Sequence, residues 1–200
     1  SDLSAVVKGW FSFLQIVYAA KNYICLTYKT KSTVLIKSIS GIRGTIGGKV
    51  GDNLTPVDAV KFASAYGTWL KNNSANEEKL TVVVGRDARI SGPMIQNLVV
   101  NTLIGLGINV IDLDLSTTPT VEVAVPLENA DGGIILTASH NPKQWNALKL
   151  LNDKGEFLNG ADGAKILEIA ESEAFDFSDV DRLGEITCTM PIWTFILMKC

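Results

Sequence analysis

Two short runs constrain the fold of this chain more than any other feature. Val82-Val83-Val84 and Ile134-Ile135-Leu136 are apolar at every position. A strand with one face in water alternates apolar and polar residues. A strand apolar throughout is covered on both faces, as in a parallel sheet packed between helices. Segments with helical spacing separate these runs. Thr55-Pro56 starts a helix, a capping residue followed by proline at the first helical position. Val57, Val60, Ala63, Tyr66 and Leu70 give that helix one apolar stripe. Ser91 is expected to cap a second helix with Pro93 in its first turn, buried along Ile95, Leu98, Val99, Leu103 and Leu106 and closed by Gly105 and Gly107. Thr118-Pro119 opens a third, which Pro126 helps to end. Asp162 to Glu173 reads as the last, with Ile166, Leu167 and Ile169 on its apolar side.

Strands are expected at 34–39, 80–84, 108–113, 132–136 and 147–151. A glycine-rich loop is expected at 41–51, a polar loop at 72–78 and a turn at 153–156. Strands alternating with helices specify an α/β fold, a three-layer α/β/α domain around a mixed, mostly parallel sheet. Chemistry on such a fold collects in loops beyond the strand ends. Arg86 and Ser139 both follow directly on such strands.

The 200 residues suffice for one domain with a sizeable core. A formal net charge of −3 and the lack of a long basic tract argue against nucleic acid as a partner. Cys25, Cys188 and Cys200 are far apart, and His140 is the single histidine. That pattern excludes a thiolate or histidine-rich metal site and fits a reducing cytoplasm. Residues 1–33 are expected to be a foreign or upstream segment. Their apolar stretch at 9–20 is shorter than the roughly 20 residues a membrane span needs, so no membrane partner is expected. The core of a signal peptide, with Lys8 before it, is the minor reading of that stretch. Residues 34–175 form the domain. Residues 176–200 read as a linker, carrying Asp176, Asp179, Asp181 and Arg182, and a non-native tail.

Thr137-Ala138-Ser139-His140-Asn141-Pro142 lifts a serine off the fourth apolar strand into a polar loop, and Pro142 biases Asn141 away from the helical region. A hydrolase fits poorly, because no Gly-x-Ser-x-Gly elbow is present. His140 is the immediate neighbour of Ser139, and adjacent side chains on an extended segment point apart, so no Ser-His dyad is expected. A nucleotide-binding loop fits no better. The segment 40–48 lacks both the Gly-x-Gly-x-x-Gly spacing and a Gly-Lys-Ser/Thr ending.

Three further segments accompany this loop in order: Ser40-Gly41-Ile42-Arg43-Gly44-Thr45, Val84-Gly85-Arg86-Asp87-Ala88-Arg89-Ile90-Ser91-Gly92, and Trp145-Asn146-Ala147-Leu148-Lys149. Together the four resemble the first domain of the α-D-phosphohexomutases, the family of phosphoglucomutase, phosphomannomutase and phosphoglucosamine mutase, over residues 34 to 187. The resemblance implies the same α/β/α fold and a four-domain enzyme. Such an enzyme interconverts hexose 6-phosphate and hexose 1-phosphate of glucosamine, mannose or glucose through a phosphoserine and a bisphosphorylated sugar.

By that resemblance Ser139 carries the phosphoryl group. Arg43 and Lys149 steer protons at the attacking or leaving hydroxyl, and His140 orients. Arg43, Asn141 and Lys143 bind phosphate. Arg86, Asp87 and Arg89 support the serine loop, with a purely structural ion-pair loop as the other reading. Mg²⁺ is the implied cofactor. Its aspartate ligands belong to a domain missing from this chain, and Ser139 contributes one oxygen through its phosphate. Asp176, Asp179 and Asp181 lack the glycines and spacing of that metal loop. A bisphosphorylated sugar serves as primer. The implied partners are a phosphorylated hexose and the missing domains two to four, without which this chain is expected to be inactive. The alternative is a non-catalytic phosphosugar-binding or regulatory module with the same fold. One departure stands out. Ala147 takes the place of a family glycine, and alanine adopts positive φ only at a cost. If that glycine needs positive φ, the segment before Lys149 must differ.

Overall fold

The computed structural model describes residues 34–38, 41–74 and 79–188. The expected upstream segment 1–33, Ile39, Ser40, part of the polar loop (75–78) and the tail 189–200 lie outside these. Among the described residues seven strands form one sheet in the order β1-β2-β6-β5-β3-β4-β7. The strands are β1 Ile36–Ser38, β2 Gly41–Thr45, β3 Thr81–Arg86, β4 Asn109–Leu115, β5 Gly132–Leu136, β6 Trp145–Leu151 and β7 Ile186–Cys188. The pairs β5–β3, β3–β4 and β4–β7 are parallel; β1–β2, β2–β6 and β6–β5 are antiparallel. Five of the seven strands therefore run one way, and β1 and β6 run against them. The sheet is mixed.

The two apolar runs occupy its centre. Val82, Val84, Ile134 and Leu136 face one core with α1 (Pro56–Asn73), α2 (Gly92–Gly105) and α4 (Gly160–Ser172). Val83 and Ile135 face a second core against Val121, Ala124 and Val125 of α3 (Thr118–Leu127). Helices thus cover both faces, which is why these strands show no alternation. Burying each such aliphatic side chain stabilises the fold by roughly 1.5–3 kcal/mol. Tyr66 of α1 is buried against the sheet and donates to the Leu151 carbonyl at 2.7 Å. Burial pushes its phenol far above the ordinary tyrosine range, against the smaller opposing effect of its bond to the Gly133 carbonyl. Gly132 must lack a side chain, because a Cβ there would lie 2.2 Å from the Tyr66 hydroxyl.

The helix starts follow the sequence signals. Thr55 and Asp58 form a reciprocal capping box on α1, and Thr117 caps α3 through the Thr120 amide. Gly107 takes the left-handed position that closes α2, at φ 80°. Three details differ from expectation. Val57 is exposed, and Ala59, Phe62 and Trp69 join Ala63, Tyr66 and Leu70 in the buried face of α1. Ser91 stands at the start of α2 without capping it; its hydroxyl accepts from Asn146 Nδ2 at 2.9 Å. The expected glycine-rich loop begins as β2, with ladders on both sides. Glycine is a weak strand former, yet Gly41 belongs there, since a Cβ would lie 2.2 Å from the Leu148 carbonyl.

Residues of the stretch expected as a linker make contacts with the domain up to residue 188. Asp176 pairs with Lys71 at 2.6 Å, the Ser178 and Gly184 amides donate to carbonyls of Gly105 and Ile104, and β7 extends the sheet beside β4. Within the described residues no helix is long and apolar enough to cross a membrane.

Candidate active site

The serine loop is the connection between β5, which runs with the parallel half of the sheet, and β6, which runs against it. The chain leaves a fully buried strand, and Ala138 is still buried when Ser139 reaches the surface. Ser139 is left-handed, at φ 54°. A non-glycine residue there is disfavoured by about 1 kcal/mol or more and persists only where its surroundings hold it.

Arg89 does much of the holding. Its Nη2 donates to the carbonyls of Ser139 (2.7 Å) and Asn141 (2.9 Å). Nη1 donates to those of Pro142 (2.9 Å) and Trp145 (3.0 Å), and Nε to Asp87 Oδ2 at 3.1 Å. A guanidinium has five N–H donors, and all five are engaged. Arg89 is therefore a scaffold and has no donor left for a ligand. Asp87 in turn accepts from the Arg89 amide at 3.0 Å and from the Thr137 hydroxyl at 2.7 Å. Arg86 points elsewhere, to Gln96 Oε1 and Asp114 Oδ1, and does not touch the serine loop. It braces the ends of β3 and β4, so of the three expected supports only Asp87 and Arg89 act on the loop directly.

The left-handed turn at Ser139 overturns one expectation. Its side chain does not point away from that of His140: Oγ lies 3.4 Å from Nδ1. The reason is that the segment is not extended at this residue. The separation is at the outer limit of a hydrogen bond and gives no strong activation of the hydroxyl.

Ser139, His140 and Asn141 line a cleft of about 400 Å³ together with Arg43 and Lys149. Strand register explains the meeting. Arg43 on β2 pairs with Ala147 on β6, and Lys149 lies two residues further along the same face. Arg43 is exposed and has no hydrogen-bond or ion-pair partner among the described residues. The Lys149 ammonium stands 5.7 Å from the centroid of Phe157. Lys143, expected as a phosphate ligand, is exposed on the loop and does not line the cleft. Ala147 is a buried strand residue without positive φ, so alanine meets no backbone strain there. Thr137 and Asn146 enter as residues that sequence reading did not single out as supports. Both lie in the quoted motif segments, Thr137 just after β5 and Asn146 within β6, and have no role of their own in that reading.

The cleft lining holds two cationic side chains and no carboxylate. No group of three His, Cys, Asp or Glu side chains among the described residues is placed to hold a metal ion. The chain's own donors at this cleft therefore do not fit Mg²⁺. They fit an anion, and phosphate suits the planar fork of arginine in particular.

Residues 35–177 match the family model described as phosphoglucomutase/phosphomannomutase, alpha/beta/alpha domain I. A phosphoglucomutase/phosphomannomutase of Thermococcus kodakarensis is 39% identical over 145 residues, 72% of this chain and 31% of that protein. A phosphoglucosamine mutase of Pediococcus pentosaceus is 34% identical over 142 residues, 71% of this chain and 29% of that protein. The chain thus spans about a third of the length of the curated relatives it matches. The crystal structure of a phosphoglucomutase/phosphomannomutase family protein from Burkholderia thailandensis superposes with a TM-score of 0.65 at 22% identity, over 84% of this chain and 35% of that one, a likeness of fold.

Proposed function

This chain belongs to the phosphoglucomutase/phosphomannomutase family, in its α/β/α domain I, and on that premise we propose that Ser139 is the phosphoryl carrier of a phosphohexomutase. The observation that carries the reading is the cleft itself: a serine held outward, faced by Arg43 and Lys149, with no carboxylate in the lining. A phosphoserine brings about −1.5 to −2 charges at neutral pH. A net acidic chain has gathered the opposite charge where that group would stand.

In the forward half-reaction a sugar hydroxyl attacks the phosphorus of phosphoserine. The Ser139 Oγ–P bond breaks as the sugar O–P bond forms. The hydroxyl proton passes to a basic group and the serine oxygen takes up a proton. The phosphate is the electrophile in this step, so Ser139 needs no strong base. The reverse step, with the sugar's other phosphate, regenerates phosphoserine and completes the exchange of hexose 6-phosphate for hexose 1-phosphate. Lys149 and Arg43 are the groups in place to move or steady the proton, and His140 and Asn141 orient the phosphate. Positioning and charge stabilisation provide most of the catalysis in such transfers. Mg²⁺ would neutralise phosphate charge once bound, with its further ligands supplied from outside this chain. The substrate is a hexose phosphate of the glucose, mannose or glucosamine series, and choice among them rests on parts of the longer protein.

The test is phosphorylation. Incubation of the longer protein, with its remaining domains, with a hexose 1,6-bisphosphate and Mg²⁺, followed by intact-mass and peptide analysis, is expected to place phosphate on the peptide containing Ser139, and Ser139→Ala to abolish it. Phosphate found only on other residues would refute the assignment. In a coupled assay with each hexose 6-phosphate, Mg²⁺ and primer, this 200-residue chain alone is expected to show no turnover. Turnover that Ser139→Ala removes would show that domain I suffices.

A further inference from the structure

Ser139 is clamped on both sides of its α-carbon. The peptide that follows it is held at the carbonyl by Arg89 Nη2, at 2.7 Å. The peptide that precedes it is held at the amide, which donates to Thr137 Oγ1 at 3.1 Å. Two peptide planes fixed in this way set φ and ψ of the residue between them. They hold Ser139 at φ 54°, a conformation its own chemistry disfavours.

We propose that Thr137 is a positioning residue for Ser139: its hydroxyl, oriented by Asp87, holds the Ser139 amide and thereby the left-handed backbone that presents Oγ to the cleft. The direction of the relay follows from the groups. A carboxylate only accepts, so the Thr137 hydroxyl must give its proton to Asp87 Oδ2, at 2.7 Å. A lone pair is then left facing the Ser139 amide. Asp87 is kept in place by the Arg89 amide and Nε, at 3.0 and 3.1 Å. Thr137 is itself anchored, because its amide donates to the Ala147 carbonyl at 3.2 Å and its side chain is buried. Threonine at this position is thus a directional hydrogen-bond part, and a methyl group of the same shape would not replace the hydroxyl. The catalytic meaning of the contact rests on the proposed role of Ser139.

The experiment compares Thr137→Val, which keeps the shape and loses the hydroxyl, with Thr137→Ser, which keeps the hydroxyl. Two readouts are taken: the Ser139 amide of this chain by NMR, through hydrogen exchange and the HN–Hα coupling, and the rate of Ser139 phosphorylation by a hexose 1,6-bisphosphate and Mg²⁺ in the longer protein that carries the remaining domains. Loss of one hydrogen bond predicts roughly five- to tenfold faster exchange of that amide in Thr137→Val and a coupling that leaves its wild-type value. Phosphorylation is expected to slow on the order of tenfold at unchanged half-saturation, with Thr137→Ser close to wild type. An unchanged Ser139 amide in Thr137→Val, or Thr137→Ser behaving like Thr137→Val, would overturn the proposal. If Thr137→Val does not fold, Thr137→Ala takes its place in the same comparison. A longer wild-type protein, with the remaining domains, that accepts no phosphoryl group at Ser139 would refute the carrier role of Ser139, while the amide measurements would still decide whether Thr137 holds it.

Discussion

Arg89 and Arg43 both stand beside the serine loop and are wired in opposite ways. Arg89 has every donor engaged by Asp87 and by four main-chain carbonyls of the loop. Arg43 reaches the same cleft from β2 with its guanidinium unpaired among the described residues. A saturated arginine shapes a site, whereas an unsaturated one is available to an anion. The same contrast runs between the segments: Asp87 and Arg89 close upon each other and upon the loop, while β2 and β6 offer Arg43 and Lys149 to the cleft.

The sharpest way to break this contrast is to remove Arg89. Arg89→Ala leaves Asp87 and four loop carbonyls, part-buried or exposed, without their donor, and should cost about 2–3 kcal/mol in urea unfolding. A loss below about 1 kcal/mol would mean that the five bonds are replaceable by water. Arg86→Ala should lie between the extremes. It orphans the buried Gln96 Oε1 and releases Asp114, for about 1–2 kcal/mol in the same measurement. Its effect on Ser139 phosphorylation should be small beside that of Arg89→Ala, and equal effects would show that the two arginines act as one unit.

Arg43→Ala should leave stability within about 0.5 kcal/mol. It should nonetheless slow phosphorylation of Ser139 on the order of a hundredfold, as removal of a charge aimed at a transferring phosphate does. Destabilisation by Arg43→Ala without loss of phosphorylation would reverse the roles assigned here.

The smallest effect belongs to the outer edge of β2's neighbour. Lys37 of β1 donates to Glu171 of α4, and that hydrogen bond, then the lysine charge, holds the Glu171 carboxyl below its ordinary value near 4.5. A depressed carboxyl stabilises above its unfolded value and loses that contribution as pH falls through the folded one. Because Glu171 is exposed, Lys37→Met should remove no more than about 0.5 kcal/mol at neutral pH. It should also flatten the stability curve just below pH 4.5. An undiminished acid slope in Lys37→Met would assign that slope to another carboxylate.

Much of this arrangement was legible in advance. Apolar runs at Val82–Val84 and Ile134–Leu136 marked the sheet centre, and Thr55-Pro56, Pro93 and Thr118-Pro119 marked helix starts. Ser139, Arg43, Lys149 and His140 were singled out and share the cleft. Other features were not legible. Val57 fits the helical period but is exposed, because the angle at which α1 docks decides which flank of an apolar stripe is covered. Gly41-Ile42-Arg43-Gly44-Thr45 looks like a loop by propensity, and becomes a strand because β1 and β6 supply ladders on both sides. Lys143 stands on the serine loop in sequence yet does not line the cleft.

What the sequence determined by itself was local: periodicity, caps, the family motifs and the identity of the serine. These depend on interactions among neighbours a few residues apart. Tertiary structure alone decided the left-handed turn at Ser139 and its approach to His140, and which arginine is a scaffold and which is free. The physical reason is that a donor's role depends on which acceptors lie within about 3 Å of it. Arg89 finds its acceptors in carbonyls some 50 residues further along, and main-chain carbonyls are the same in every sequence.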